Sequence, residues 1–230
     1  MRPILIRHGQ TPSNVVGALD TAFPGAPLTD LGEAQAAALP AALAHEPIAG
    51  IHASPLVRTQ LTAAPLGAAR SLSGQVVPGL EEITAGALEM RADEAARQEY
   101  AACLVGWMHG DLDRTLPGGA DGHGFLERFD AAIGRLARSY PDQRTVAVIT
   151  HGAAIRVYTA IRTGMHGDLA AQLDIRDTGA AVLDGCPTVG WHLEAWHPEP
   201  LGGPRPADHS ATDVTGESAE QVAEESPHPG

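Results

Sequence analysis

Short apolar runs along this chain alternate with longer stretches rich in Ala and Leu. Residues 3–6 (Pro-Ile-Leu-Ile) form a short apolar run ending in Arg7-His8-Gly9, which predicts a first strand. Residues 29–45 read as a helix: Asp30 stands where a cap is needed, Glu33 follows three residues on, and Ala and Leu dominate. Pro40 lies inside this run and predicts a kink or break. Ile48–Ala53 reads as a second strand. Ser54 then caps a helix that begins Pro55-Leu56, with Pro at its favoured first position, and runs to about residue 69. Residues 75–77 make a third strand, and 92–108 and 122–139 two further helices joined by a Gly-rich link at Pro117-Gly118-Gly119. Thr145–Thr150 is apolar throughout, as a central strand buried on both faces should be. A helix over 153–162 follows, and residues 179–183 and 188–196 close the pattern as an antiparallel pair.

Alternation of this kind predicts an α/β fold, a three-layer sandwich with a mostly parallel central sheet and helices on both faces. Residues 198–230 differ: seven acids against one Arg, six Pro, four Gly and no aromatic residue. Such a segment buries too little apolar surface to offset the entropy of ordering. The chain thus divides into a folded domain at 1–197 and an acidic, Pro/Gly-rich disordered tail at 198–230.

Charge narrows the function classes. The chain carries 28 acids and 15 bases, all of them Arg, for a formal net charge of −13. It lacks the basic face that nucleic acid or anionic lipid requires. An apolar run of three near the start is too short for a signal peptide, and no stretch approaches a membrane-spanning length. Cys103 and Cys186 are too few for a disulfide framework and read as small buried hydrophobes in a reducing cytoplasm. The absence of Lys and the abundance of Ala suggest a GC-rich bacterial genome, an inference from codon composition.

In folds of this class ligands bind beyond the carboxyl ends of the strands. Two of those ends carry His: Arg7-His8-Gly9 and Thr150-His151-Gly152. Gly after each His lets the backbone turn sharply and approach a ligand closely. The first motif extends from Leu5 to Asn14 (Leu-Ile-Arg-His-Gly-Gln-Thr-Pro-Ser-Asn), and it resembles the signature of the histidine phosphatase superfamily, which contains phosphoglycerate mutases and acid phosphatases. Three further segments resemble that family in the same order: Ser54-Pro55-Leu56-Val57-Arg58-Thr59 with the second Arg, Leu80-Glu81-Glu82-Ile83 ahead of Gly86 with the acid, and Thr150-His151-Gly152 with the second His. The resemblance spans residue 3 to about residue 196.

What it implies is a metal-independent, cofactor-free phosphomonoester hydrolase acting on a small phosphorylated metabolite. The implied catalytic set is His8, Arg7, Arg58, His151 and Glu82. The implied phosphate-binding set is Arg7, Gln10, Thr11, Asn14, Arg58, His151 and Gly152. Physical chemistry suits each role. Arg7 and Arg58 are permanently charged forks for phosphate oxygens. Asn14 and the backbone of residues 9–11 add neutral donors. His8 attacks as a neutral imidazole to form a phosphohistidine, its other nitrogen held by a backbone carbonyl, for which Gly9 is the candidate. Neighbouring Arg charges lower its pKa. His151 donates to the transferring group. One carboxyl protonates the leaving alkoxide and later activates water; of Glu81 and Glu82, the family pattern points to Glu82. Activity is expected to be best on the acidic side of neutral.

A phosphoglycerate mutase-type transferase is the alternative, and a non-catalytic phosphate-binding module a second. Mutases insert an extra segment and additional bases between acid and second His. Here only 69 positions separate Glu82 from His151, and Arg128, Arg135, Arg138 and Arg144 lie in or after a helix read as facing outward. Two segments depart from the commoner phosphatase pattern, Ala87-Leu88-Glu89-Met90 and Ala120-Asp121; both are read as pocket rim, implying an unusual substrate. His109 and His123 read as surface residues, with contact to the substrate's organic part as the other option; Trp107 and Met108 read as helix core. His192 and His197 are five apart on an edge strand, on opposite faces, so they make no metal site. That edge offers pairing in a homodimer.

Overall fold

The computed structural model describes residues 1–140, 144–203, 215–218 and 221. In chain order the elements are β1 (Arg2–Arg7), α1 (Pro12–Val15), α2 (Asp30–Ala42), β2 (Ile48–Ala53), α3 (Val57–Arg70), β3 (Gly74–Val76), α4 (Glu94–Met108), α5 (Gly122–Ser139), β4 (Thr145–Thr150), α6 (Gly152–Arg162), α7 (Gly167–Ala171), β5 (Ala180–Cys186) and β6 (Gly190–His197). A 3-10 turn occupies Gly86–Leu88. The strands form one sheet in the order β3-β2-β4-β1-β5-β6. β1 to β4 run parallel, and β5 and β6 are antiparallel.

Alternation within the strands produces the layers. Ile4 and Ile6 of β1 and Ala147 and Ile149 of β4 pack with Leu39, Ala63 and Leu66 of α2 and α3. Leu5, Val146 and Val148 point the other way, into a core built with Tyr100, Phe129 and Ile155 of α4, α5 and α6. β4 is buried at every residue because both faces are covered. The chain crosses from β1 to α2 on one face and from β4 to α6 on the other. β1 and β4 are neighbours, so their carboxyl ends flank a topological switch point, where open α/β sheets bind ligands.

Several local expectations change. Thr29, not Asp30, caps α2: its backbone is extended and its hydroxyl accepts the Gly32 N–H. α2 runs through Pro40 to Ala42 without a break, because the proline falls in the last turn. α3 begins at Val57, and its cap residue Leu56 has no polar side chain to bond; the Ser54 hydroxyl accepts the Leu56 N–H at 3.3 Å and contacts His151 Nε2 at 2.7 Å. On β6 the pairing register shifts between Val182 and Leu183, so His192 stands opposite Asp184 and His197 opposite Ala180. Those partners are four residues apart on β5. The bulge therefore puts both His on one face, roughly 13 Å apart along the strand, too far to share an ion.

After β6 the chain stays on the body. The Pro198 carbonyl accepts from Arg176 N–H at 2.8 Å, and Leu201 N–H donates to the Thr178 carbonyl at 3.2 Å. Of the segment read as a disordered tail, much lies outside the described residues. Thr215, Gly216 and Ser218 are described, and they are buried. Among the described residues no helix is long and apolar enough to cross a membrane.

Candidate active site

Arg7 of β1 pairs in register with Thr150 of β4, so the next residue on each strand is a histidine at the same height. The ladder continues one step past the strands: His8 N–H donates to the Thr150 carbonyl at 3.1 Å, and Ser54 N–H to the Ile149 carbonyl at 3.1 Å. The His8 and His151 rings lie edge to face with centroids 5.3 Å apart, close to the spacing between neighbouring strands. His8 Nδ1 is 2.8 Å from the Gly9 carbonyl. His151 Nε2 is 2.7 Å from the Ser54 hydroxyl, and its Nδ1 has no hydrogen-bond partner among the described residues. Burial holds both imidazoles well below the ordinary histidine range, with the Arg58 charge next in importance for each. For His8 the Arg charges lower the pKa as expected, behind the larger effect of desolvation.

The glycines after each His act through space. Neither has a positive φ. A Cβ on Gly9 would sit 2.6 Å from the Gly32 carbonyl of α2, and one on Gly152 2.5 Å from the Thr215 carbonyl. Close backbone approach, rather than a sharp turn, demands them.

Glu82 comes from the loop after β3. Its Oε1 accepts from the N–H of Ile83 at 2.8 Å and Ala154 at 2.9 Å, and its Oε2 from Ala153 at 3.2 Å. The carboxyl thus caps the amino end of α6. Burial raises its pKa; the three N–H groups and Arg58 pull it back without cancelling the rise. Glu81 points elsewhere, accepting from Gly79 N–H and Arg128. The acid loop is held by Thr150 Oγ1 on the Leu80 carbonyl, Tyr100 on the Ile83 carbonyl, and Arg128 on the carbonyls of Gly79, Glu81 and Glu82. Arg128, expected to face outward, is therefore a clamp beneath the acid.

His8, Thr11, Asn14, Arg58, Glu82 and Thr215 line one small cavity. Thr11 and Asn14 form a reciprocal capping box that engages the Asn14 carbonyl oxygen, so what Asn14 has left to offer is its amide N–H. Arg58 is steadied by the Asp20 carbonyl at 2.8 Å and faces the Asp20 carboxylate at 3.8 Å. Arg7 donates to the Ile175 carbonyl at 2.8 Å and to Thr215 Oγ1 at 3.3 Å, with Asp177 at 3.5 Å. Gln10 does not line this cavity, and neither do Arg7, His151 and Gly152, which lie behind its His8 and Thr215 walls. The Gln10 N–H bonds Gln35 of α2 and its side chain Thr29, because the loop packs against the start of that helix.

A second cavity, about 340 Å³, also has Glu82 in its wall, together with Thr21, Ile83, Trp107, Ala120 and Phe125. Trp107 and Met108 are core residues. His109 and His123 are exposed and paired with Asp168 and Asp113. Asp121 caps α5 through the Gly124 N–H, and Glu89 binds Thr21. Sequence reasoning missed Asp20, Thr215, the Ser54–His151 contact and Arg156. Arg156 is a buried guanidinium whose pKa burial pushes down to about 10. It stands on α6 four residues after Gly152, about one helical turn from the end of β4.

A family model described as histidine phosphatase superfamily (branch 1) matches residues 4–199. The chain is 35% identical over 212 residues to the PE-PGRS family protein PE_PGRS11 of Mycobacterium tuberculosis, covering 86% of this chain but only 36% of that longer protein. It is 30% identical over 161 residues to the adenosylcobalamin/alpha-ribazole phosphatase of Salmonella typhimurium, covering 70% of this chain and 78% of the relative. A solved mycobacterial glucosyl-3-phosphoglycerate phosphatase complexed with VO3 superposes with a TM-score of 0.73 at 23% identity, covering 86% of this chain and 99% of the other.

Proposed function

The chain belongs to the histidine phosphatase superfamily, branch 1, and on that premise we propose that it hydrolyses a small phosphomonoester through a phosphohistidine on His8. The observation that carries this reading is the convergence of His8, Arg58 and Glu82 on one small cavity, with the His151 ring against His8 and the His8 proton held on Nδ1 by the Gly9 carbonyl. His8 Nε2 then keeps its lone pair and attacks phosphorus. A P–N bond forms as the ester P–O bond breaks. Arg7, Arg58 and His151 neutralise the oxygens of the transferring group. Glu82 gives its proton to the leaving oxygen. Oε2 is the natural carrier, because its one N–H contact is the longest of the three. Water next enters, Glu82 takes its proton, the P–N bond breaks, and inorganic phosphate and neutral His8 remain.

The leaving group departs on the Glu82 side, toward the 340 Å³ cavity, whose walls combine apolar Ile83, Trp107 and Phe125 with charged Glu81 and Arg128. Named relatives act on phosphorylated metabolites, which supports the substrate class. His8 must be neutral and Glu82 protonated, and their shifts run in opposite directions, so the working window lies on the acidic side of neutral.

Hydrolysis of p-nitrophenyl phosphate in excess EDTA tests the reading, scanned from about pH 5 to 7.5. Wild type should turn over, and His8→Ala should lose several orders of magnitude in rate. A His8→Ala chain as active as wild type sinks the nucleophile assignment, and an inactive wild type sinks the phosphatase reading.

A further inference from the structure

The side chains of the proposed reaction are sealed from solvent. Relative exposure is 1% for Arg7, 2% for His8, 3% for Arg58, 4% for Glu82 and 0% for His151. A site that takes a phosphate dianion from water needs its donors open. Part of the cover comes from far down the chain. Thr215 is itself in the cavity wall beside His8 and Glu82, and its hydroxyl accepts from Arg7 Nη2 at 3.3 Å. Its carbonyl lies against Gly152, where α6 begins. Gly216 follows, its carbonyl accepting from Ile175 N–H at 2.8 Å and its Cα packed so closely on Arg7 that a Cβ would overlap the guanidinium. Ser218 and Gln221 bond each other reciprocally just beyond the contact. What remains of the cavity is about 10 Å³, roughly the room one water needs and far less than a phosphate.

We propose that residues 215–218 are an intramolecular strap over the phosphate site, with the Thr215 hydroxyl and carbonyl standing where phosphoryl oxygens would bind, so that substrate must displace the strap to enter. The proposal rests on the reading of Arg7, His8 and Glu82 as that site. Three features distinguish a strap from passive packing. It engages Arg7, a proposed phosphate ligand. It presents oxygens, as a phosphoryl group does. It fits only because residues 152 and 216 lack side chains. A tethered competitor acts at a high effective concentration and needs little intrinsic affinity. Competition of this kind lowers the population able to bind, which raises KM and every inhibitor constant at the site by one common factor and leaves kcat alone.

The test uses the full 230-residue chain carrying Gly216→Val, whose Cβ would meet Arg7 and stand 2.5 Å from the Ile175 carbonyl. Steady-state kinetics on p-nitrophenyl phosphate and the inhibition constant of orthovanadate are measured beside wild type. If the strap covers the site in about nine molecules of ten, both KM and the orthovanadate constant fall about tenfold, with kcat unchanged. A Thr215→Ala chain moves both constants the same way by a smaller factor. Unchanged or raised constants in an active Gly216→Val chain overturn the strap while leaving the phosphatase reading intact. If neither chain turns over substrate nor binds orthovanadate in calorimetry, the phosphate site itself is wrong and the strap falls with it.

Discussion

The two strand ends at His8 and His151 share a pattern, residue-His-Gly after a buried strand, yet they present their rings in opposite ways. His8 meets a carbonyl, which can only accept, so its proton stays on Nδ1 and Nε2 has the lone pair. His151 meets the Ser54 hydroxyl, which can donate. Thr59 Oγ1 directs its own proton to the carbonyls of Ser54 and Leu56 at 2.9 and 2.8 Å. The Ser54 hydroxyl then has two acceptors, Thr59 Oγ1 at 3.1 Å and His151 Nε2 at 2.7 Å, and the shorter contact assigns its proton to His151, which leaves His151 Nδ1 as a buried N–H with no partner among the described residues. In the proposed reaction one ring attacks and the other donates. The neighbour of each ring assigns the role, and the tripeptide alone does not.

That contrast is broken most strongly at the rings. Beyond the loss expected for His8→Ala, the His151→Ala chain should behave differently in kind. It keeps the nucleophile, so acid quench and mass spectrometry should still trap a phosphoenzyme, while kcat falls by about 10²–10³, the usual cost of one transition-state donor. His8→Ala should trap none. A phosphoenzyme that survives in His8→Ala and vanishes in His151→Ala would exchange the two roles.

A smaller change removes only the device that separates the rings. Ser54→Ala takes away the donor to His151 Nε2 and keeps the ring in place. About tenfold in kcat is expected, with KM little changed, since a lost hydrogen bond to a buried group costs on the order of 1–2 kcal/mol. Ser54→Thr restores the hydroxyl and should recover part of the rate. Equal effects on kcat and KM, or no rescue by Thr, would make Ser54 a packing residue only.

These predictions draw on parts of the molecule that the sequence discloses unequally. Buried strands are legible because β4 is apolar without a break from Val146 to Ile149, and its bounds are those read from Thr145–Thr150. The order of the sheet is not, since it depends on which strand the crossovers skip. Residues tied to a local motif, such as His8 with Gly9, can be read at short range. Ser54 misleads, because a hydroxyl before Pro55 fits a helix cap as well as it fits a partner 97 residues away. Gln10 is illegible for a similar reason: nothing local shows that its N–H meets Gln35 and its side chain Thr29 at the start of α2. Thr215 lies in a segment whose composition speaks for solvation, and three-dimensional contact with Arg7 leaves no trace in composition.

The smallest effect probes the shared burial of the two rings through stability. His8 and His151 both have folded-state pKa values below the unfolded one, chiefly from burial, and burial lowers His52 to about 4 outside the site. Below the unfolded value of about 6.5 the unfolded chain takes up protons that the folded chain refuses. The stability these neutral rings allow is complete above that pH and is lost as pH falls toward the folded values, by up to about 1.4 kcal/mol per pH unit for each ring. Glu82 runs the other way: its raised pKa keeps a proton that the unfolded carboxyl has already released, so its contribution is lost as pH rises. Against these three rings stand Glu82 and the exposed His109, raised by its hydrogen bond to Asp168 and therefore weakly stabilising as pH falls, so the melting temperature should drop between about pH 6.5 and 5. The drop should be shallower in His8→Ala and His151→Ala, by similar amounts because burial leads in both, and steeper in Glu82→Gln. A slope that neither histidine variant changes would mean that the rings titrate alike in the folded and unfolded chains. The chemical contrast between them would then rest on hydrogen bonding alone, without the buried, proton-refusing setting assigned to both.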